Sequence, residues 1–136
     1  MCREESLSHR KFSEQFLAAM HSGDPAAMGQ MLHAQFEVEE AASLPYGGVY
    51  RGTEGWLALC SAVVGTWAKF SLQLLEYAGE SADSLVIRFA ISGRSRKTGK
   101  SFESTVLELW RFKDGKLFRI YPYYFDTALL AAADTQ

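Results

Sequence analysis

Hydrophobic and polar residues alternate through the C-terminal part of the chain, and this alternation predicts three consecutive strands. The strands are expected over residues 85–92, 102–112 and 116–125. A period of two is typical of a strand that buries one face. Lys97-Thr98-Gly99 and Lys113-Asp114-Gly115 separate the three segments and have the composition of tight turns. The whole segment therefore predicts a long, curved antiparallel meander.

The N-terminal part of the chain repeats its apolar residues at the spacing of a helix face instead. This spacing predicts a first helix over residues 8–22. Asp24 and Pro25 suit the N-cap and the first position of a short second helix. Thr53 is expected to cap a third helix that continues to about Trp67. The inward stripe of this third helix consists of Trp56, Leu59, Cys60, Val63 and Trp67.

Two further strands and a terminal helix complete the predicted order. Residues 36–40 and residues 70–77 have strand-like patterns, and Asp126 suits the N-cap of a helix over residues 127–133. Helices early in the chain and strands late are typical of an α+β domain. We expect a cone-shaped, curved antiparallel or mixed sheet. It would pack on the three helices of the N-terminal half and leave a cavity at one end.

The composition describes a globular chain with many aromatic residues. A length of 136 residues predicts one domain over residues 1–136, with a core over about residues 8–133. The aromatic share of 13% suits a small-molecule pocket as well as a core. The net charge of -2 argues against a nucleic-acid partner, which would require a basic face. No apolar run approaches the roughly 18 residues of a membrane span, so no membrane partner is expected.

The two cysteines predict neither a disulfide framework nor a metal site. Cys2 and Cys60 are far apart and lack metal-binding spacing, so no metal is expected. Free thiols and the absence of a hydrophobic signal core predict a cytoplasmic location. The densest basic run, Arg94-Ser95-Arg96-Lys97, lies at the tip of a predicted hairpin. We interpret this run as a solvated turn.

Several short motifs, in this order of elements, resemble the nuclear transport factor two-like superfamily. They are Ser22-Gly23-Asp24, Leu44-Pro45-Tyr46-Gly47-Gly48-Val49-Tyr50-Arg51-Gly52, Asp114-Gly115-Lys116-Leu117 and Tyr124-Phe125-Asp126. The branch most similar to the chain is that of the SnoaL-like, polyketide-cyclase-like and ketosteroid-isomerase-related proteins. The resemblance implies a cystatin-like α+β cone. It implies less about chemistry, because the superfamily contains isomerases, cyclases, hydrolases and non-catalytic binding domains.

The resemblance assigns two carboxyl groups to catalysis. Ketosteroid isomerases carry an Asp base just after the first strand, and Glu40 occupies this position in Val38-Glu39-Glu40-Ala41. They also carry a protonated carboxylic acid, whose position Glu108 occupies in Glu108-Leu109-Trp110-Arg111-Phe112. The resemblance therefore implies an isomerase- or cyclase-like proton transfer without a cofactor. Its substrate would be a small hydrophobic carbonyl compound.

Three positions depart from the ketosteroid-isomerase pattern. Phe16 stands where the family has its oxyanion tyrosine, and Leu32 and Cys60 stand where it has supporting tyrosines. The hydrogen-bond network of that enzyme is therefore absent, and steroid isomerisation itself is not implied.

Each carboxyl has a second interpretation. Alternation places Glu108 on the same strand face as Val106 and Trp110, so it lies in the pocket if that face is internal. A shift of register would turn it outward, toward Arg88 or Arg119. Glu40 adjoins a loop and could equally face solvent.

The other candidates for substrate binding are walls of the cone. Pro122 removes a ladder donor and indicates a bulge or an edge, which leaves open whether Tyr123 or Tyr124 points inward. The predicted binding residues are Phe16, Tyr46, Trp67, Val106, Trp110, Tyr123 and Tyr124.

The apolar character of both faces of the 102–112 strand also predicts a homodimer through the sheet. Three functions stay open: an enzyme, a non-catalytic small-molecule binding module, and a dimerisation scaffold without a cavity. An open cavity reached by both carboxyls favours the enzyme, and one reached by Glu108 alone favours the binding module. A cavity filled by Trp67, Trp110 and Tyr124 favours the scaffold.

Overall fold

The computed structural model describes residues 8–136, and the bounds of its elements follow. Cys2 lies outside this part of the chain. The helices are α1 (His9–Ser22), α2 (Pro25–Met31), α3 (Gly52–Thr66) and α4 (Thr127–Ala133). The strands are β1 (Leu32–Glu40), β2 (Gly48–Arg51), β3 (Trp67–Ser81), β4 (Ser84–Ser95), β5 (Ser101–Lys113) and β6 (Lys116–Tyr124).

The six strands form one mixed sheet in the order β2-β1-β6-β5-β4-β3. β1 and β6 run parallel, and the other neighbours are antiparallel. The sheet is curled but does not close. The α+β class and the curved sheet that packs on helices are therefore as the sequence predicts.

Glycine, proline and aspartate at the helix termini explain where several of the helices begin and end. Gly23 ends α1 in the left-handed conformation, with φ 67°, and its N–H donates to the last carbonyls of that helix. The Asp24 carboxylate accepts from the N–H of Ala27, with Pro25 at the first position of α2. Asp126 caps α4 by accepting from the N–H of Leu129. These caps confirm the predicted end of α1 and the predicted starts of α2 and α4.

Two boundaries differ from the prediction. α3 begins at Gly52, after Arg51, so Thr53 lies inside the helix and does not cap it. Trp67 is the first residue of β3, with φ -113° and ψ 124°, although its spacing continues the apolar stripe of α3. The change from helix to strand follows directly at this residue, and spacing alone cannot show it.

The core lies between the helices and the concave face of the sheet. Phe16 of α1 is fully buried and packs against Trp56 of α3 and Trp110 of β5, with ring centroids 5.3 and 5.7 Å apart. The outer face of the sheet stays apolar in places, since Leu107 and Tyr123 are exposed. No helix in the described part of the chain is both long and apolar enough to cross a membrane.

Candidate active site

A cavity of about 1010 Å³ opens between α1, α3 and the concave face of the sheet. Trp110 and Tyr124 form part of its wall without filling it. The cavity is mostly apolar, because α3 and the inward positions of β4, β5 and β6 supply its side chains. These include Trp56, Leu59, Val63, Ile91, Val106, Ile120 and Pro122. Such a volume is in the range of small-molecule sites.

Glu40 enters the cavity from the end of β1. Phe36, Val38 and Glu40 alternate toward the interior, so the strand that buries two apolar side chains also buries this carboxyl, which is 8% exposed. The Tyr124 hydroxyl donates to Glu40 Oε1 at 2.8 Å. Burial raises the pKa of Glu40 to about 7, opposed by this hydrogen bond and reinforced by the charge of Glu108. The solvent-facing interpretation of Glu40 is therefore wrong.

Glu108 enters the same cavity from the middle of β5. The Trp110 indole N–H donates to Glu108 Oε1 at 2.9 Å. Its partly accessible surface opens to the cavity, and enclosure by protein raises its pKa to about 7, against the hydrogen bond from Trp110. Because an indole can only donate, a proton on Glu108 belongs on Oε2.

The outward interpretation of Glu108 does not hold. Arg88 Nη1 donates to Glu76 Oε2 at 3.2 Å on the neighbouring pair of strands. Arg119 Nη1 donates to the carbonyls of Gln35 and Phe118. Both candidate partners of Glu108 are therefore engaged elsewhere.

A second set of hydrogen bonds fixes the aromatic side of the site. The Trp67 indole N–H donates to the Tyr46 hydroxyl at 2.9 Å, and Tyr46 interacts in turn with Tyr124. Burial raises the pKa of Tyr46 to about 12. Burial, first, and the nearby Glu40 raise the pKa of Tyr124 far above its ordinary value. Tyr124 thus stays protonated and holds Glu40 from a fixed direction.

The structure separates the predicted binding residues into three groups. Tyr46, Val106, Trp110 and Tyr124 line the cavity. Phe16 and Trp67 are buried behind its wall, where they support Trp110 and Tyr46. Tyr123 is 60% exposed and points away from the cavity, which corrects its predicted place in the wall.

Pro122 explains why the sequence left the two tyrosines undecided. No bulge occurs at Pro122, which pairs in register with Glu108 of β5. The β1 ladder ends at Ile120, so Pro122 needs no N–H on that side. Ile120, Pro122 and Tyr124 therefore alternate inward without interruption.

One wall of the cavity was not predicted from the sequence. Lys69 adopts φ 56°, and the pairing of β3 with β4 shifts between Ala68 and Ser71. After this irregularity, residues 70–73 line the cavity. Positive φ is uncommon for Lys, and nothing in the local sequence signals it.

The thiol of Cys60 also lines the cavity but is held neutral. Burial raises its pKa to about 11, so the thiolate is scarce at neutral pH. Among residues 8–136, no group of three or more His, Cys, Asp or Glu side chains is placed to hold a metal ion. The carboxyl pair is therefore the chemically distinctive part of the cavity.

The curled mixed sheet, with helices over its concave face and a cavity between them, defines an NTF2-like α+β protein. The chain belongs to the family of the SnoaL-like domain, which matches residues 13–120. No curated protein matches the chain.

Solved structures share this fold over nearly the whole chain. An NTF2-like protein from Burkholderia thailandensis is 29% identical, with a TM-score of 0.83, over 93% of this chain and 96% of that one. A Catenulispora acidiphila protein of ketosteroid isomerase-like fold, in complex with trimethylamine, is 16% identical, with a TM-score of 0.76. The match covers 95% of this chain and 96% of that one. TerC, co-crystallized with polyporic acid, is 17% identical, with a TM-score of 0.79. The match covers 92% of this chain and 96% of that one.

The raised carboxyl pKa values predict that the protein loses stability as the pH rises. Glu40 and Glu108 titrate at about 7 when folded, against an ordinary value of 4.5. Between these values the folded state binds more protons, so a higher pH favours unfolding. Each carboxyl is expected to remove about 2 kcal/mol from the free energy of unfolding between about pH 5.5 and about pH 8.

Urea unfolding of the wild type and of Glu108→Gln at the two pH values measures this effect. The variant should show no more than about half of the wild-type pH dependence, because one titrating group is gone and the pKa of Glu40 falls without the charge of Glu108. Equal pH dependence in both proteins would contradict the expected contribution of Glu108.

Proposed function

We propose that the protein is a cofactor-independent enzyme that transfers a proton next to the carbonyl group of a small hydrophobic compound, in an isomerase- or cyclase-like reaction. The observation that carries this proposal is the pair of carboxyls, Glu40 and Glu108, that both line one apolar cavity. Perturbed carboxyl pKa values in a cleft are typical of acid–base sites.

The pair supplies one base and one acid at the same pH. The charge of Glu108 raises the pKa of Glu40, so ionisation of one carboxyl opposes ionisation of the other. Near neutral pH such a pair holds about one proton and titrates as a unit. A carboxylate can then remove a proton from carbon while a carboxylic acid donates to the developing enolate oxygen.

We assign the base to Glu40 and the acid to Glu108. The protonated Tyr124 hydroxyl donates to Glu40 and stabilises its carboxylate form. Glu108 accepts from Trp110 through Oε1 alone, which leaves Oε2 to carry the transferable proton. The apolar wall strengthens the electrostatic effect of both groups, because the local dielectric constant is low.

Hydrogen–deuterium exchange at carbon tests the proposal directly. Wild-type protein is incubated in D₂O with a panel of hydrophobic ketones, enones and lactones, and mass spectrometry follows deuterium uptake. At least one compound is expected to gain deuterium beside its carbonyl faster than in buffer. If some compounds raise the melting temperature but none gains deuterium at carbon, the result would instead support a non-catalytic binding module.

We also propose that two copies associate through the outer face of the sheet. Leu107 and Tyr123 pair in register on this face and are exposed there, 38% and 60%. Exposed apolar side chains on one sheet face suit an interface between copies. Analytical ultracentrifugation at micromolar concentration is expected to show a dimer, and a monomer throughout would contradict this part of the proposal.

A further inference from the structure

A positively charged side chain, that of Arg96, lies at the mouth of the cavity and has no part in the proposed acid–base reaction. Arg96 lies in the turn between β4 and β5 and lines the cavity. Its Nε donates to the carbonyl of Val64 at 2.8 Å, and its backbone N–H donates to the carbonyl of Thr66 at 3.0 Å. The interpretation of this turn as merely solvated is therefore incomplete, because the end of α3 fixes the Arg96 side chain.

The guanidinium of Arg96 keeps free hydrogen-bonding capacity. Within residues 8–136, its Nη atoms have no hydrogen-bond acceptor and no acidic partner. The neighbouring Lys97 differs, since its ammonium lies 3.6 Å from the carboxylate of Asp134. An Arg held at Nε still presents a planar pair of donors, which matches the two oxygens of a carboxylate.

The charges along the cavity are arranged by depth. Glu40 and Glu108 lie on the inward faces of central strands, whereas the exposed Arg96 lies at the rim. An anionic group would be repelled by the ionised carboxyl inside and attracted by the guanidinium outside. Anchoring the Arg96 side chain in advance also lowers the entropy that a ligand loses on binding it.

We propose that this cavity binds amphipathic organic anions, with the hydrophobic body inside and the acidic group on Arg96 at the mouth. The inference rests on the proposed function, since it names the substrate class for the same cavity. It makes Arg96 a residue that determines specificity without touching the reacting carbon. Substrates would then be hydrophobic carbonyl compounds that carry a carboxylate or a comparable acid away from the reacting centre.

Two fluorescent dyes that differ mainly in charge test the inference. 8-Anilinonaphthalene-1-sulfonate carries a sulfonate, and N-phenyl-1-naphthylamine is its uncharged counterpart. The sulfonate is expected to bind Arg96→Gln about three- to tenfold more weakly than wild type, as for a partly exposed charge-assisted contact. The uncharged dye is expected to bind both proteins equally.

Arg94→Gln is the matched control, because Arg94 is an exposed arginine of the same hairpin that does not line the cavity. It changes the net charge equally and is expected to leave both affinities unchanged. An equal loss of affinity for the sulfonate dye in both variants would show a general charge effect and overturn the inference. Equal weakening of both dyes by Arg96→Gln would assign Arg96 to holding the end of α3, which also overturns it.

The same titrations separate this inference from the proposed function. If wild type binds the uncharged dye but Arg96→Gln does not change the affinity for the sulfonate dye, the inference fails and the cavity remains a ligand site. If wild type binds neither dye, the cavity is not a ligand site and both fail. If the affinity for the sulfonate dye depends on Arg96 but no compound exchanges deuterium, the proposed reaction fails and the preference for anions stands.

Discussion

Glu40→Gln is expected to lower the rate of carbon-bound deuterium exchange about 10²- to 10⁴-fold, the usual contribution of a positioned general base. The amide has nearly the same shape as the carboxyl and can still accept from the Tyr124 hydroxyl through its oxygen. It cannot accept a proton from carbon at neutral pH. The loss should therefore appear in kcat, with a small change in KM.

Glu39→Gln is the matched control for this substitution. Glu39 adjoins Glu40 in β1 but is exposed, because alternate residues of the strand face opposite sides of the sheet. It should retain the wild-type exchange rate. A fall of less than about threefold in Glu40→Gln, with its fold intact by circular dichroism, would remove Glu40 from the base role.

Phe16→Ala is expected to lower the free energy of unfolding by about 3–5 kcal/mol, because it removes a fully buried ring and leaves a void behind the cavity wall. The void would lie against Trp56 and Trp110, the rings that Phe16 contacts. Since Trp110 donates to Glu108, the substitution should also weaken the support of the acid.

Urea denaturation measures the effect, and Phe125→Ala provides the comparison. Phe125 is 84% exposed, so its truncation should change the free energy of unfolding by no more than about 0.5 kcal/mol. A loss below about 1 kcal/mol for Phe16→Ala would show that the surrounding side chains close the void without cost, contrary to a close-packed interior.

Alternation explains how the inner face of the meander was found from the sequence. Val106, Glu108 and Trp110 share one face of β5 because neighbouring strand residues point to opposite sides, whatever the partner strands are. The N-caps at Asp24 and Asp126 were likewise predictable, since each cap depends on local chemistry. Features fixed by neighbours in the chain were therefore accessible from the sequence.

Features fixed by distant contacts were not accessible. β2 has four residues, mostly exposed, and becomes a strand by pairing with β1. Glu40 is a candidate through the family resemblance; its alternation with Phe36 and Val38 points inward as well, but its place at the end of the strand, next to a loop, left the solvent-facing interpretation open. The choice between Tyr123 and Tyr124 depended on whether Pro122 interrupts the ladder. Arg96 required the end of α3 to be placed beside the hairpin.

The parallel pairing of β1 with β6 has a consequence for the order in which the protein folds. Glu40 and Tyr124, which face each other across this seam, lie 84 positions apart in the chain. Closing so long a loop costs entropy before its contacts form, and non-local pairings are slow for this reason. Synthesis from the N-terminus releases Glu40 before Glu108, Trp110 and Tyr124 have been added to the chain. The acid–base site that we propose is complete only once β6 has docked, and a ligand that binds the cavity would stabilise the docked state.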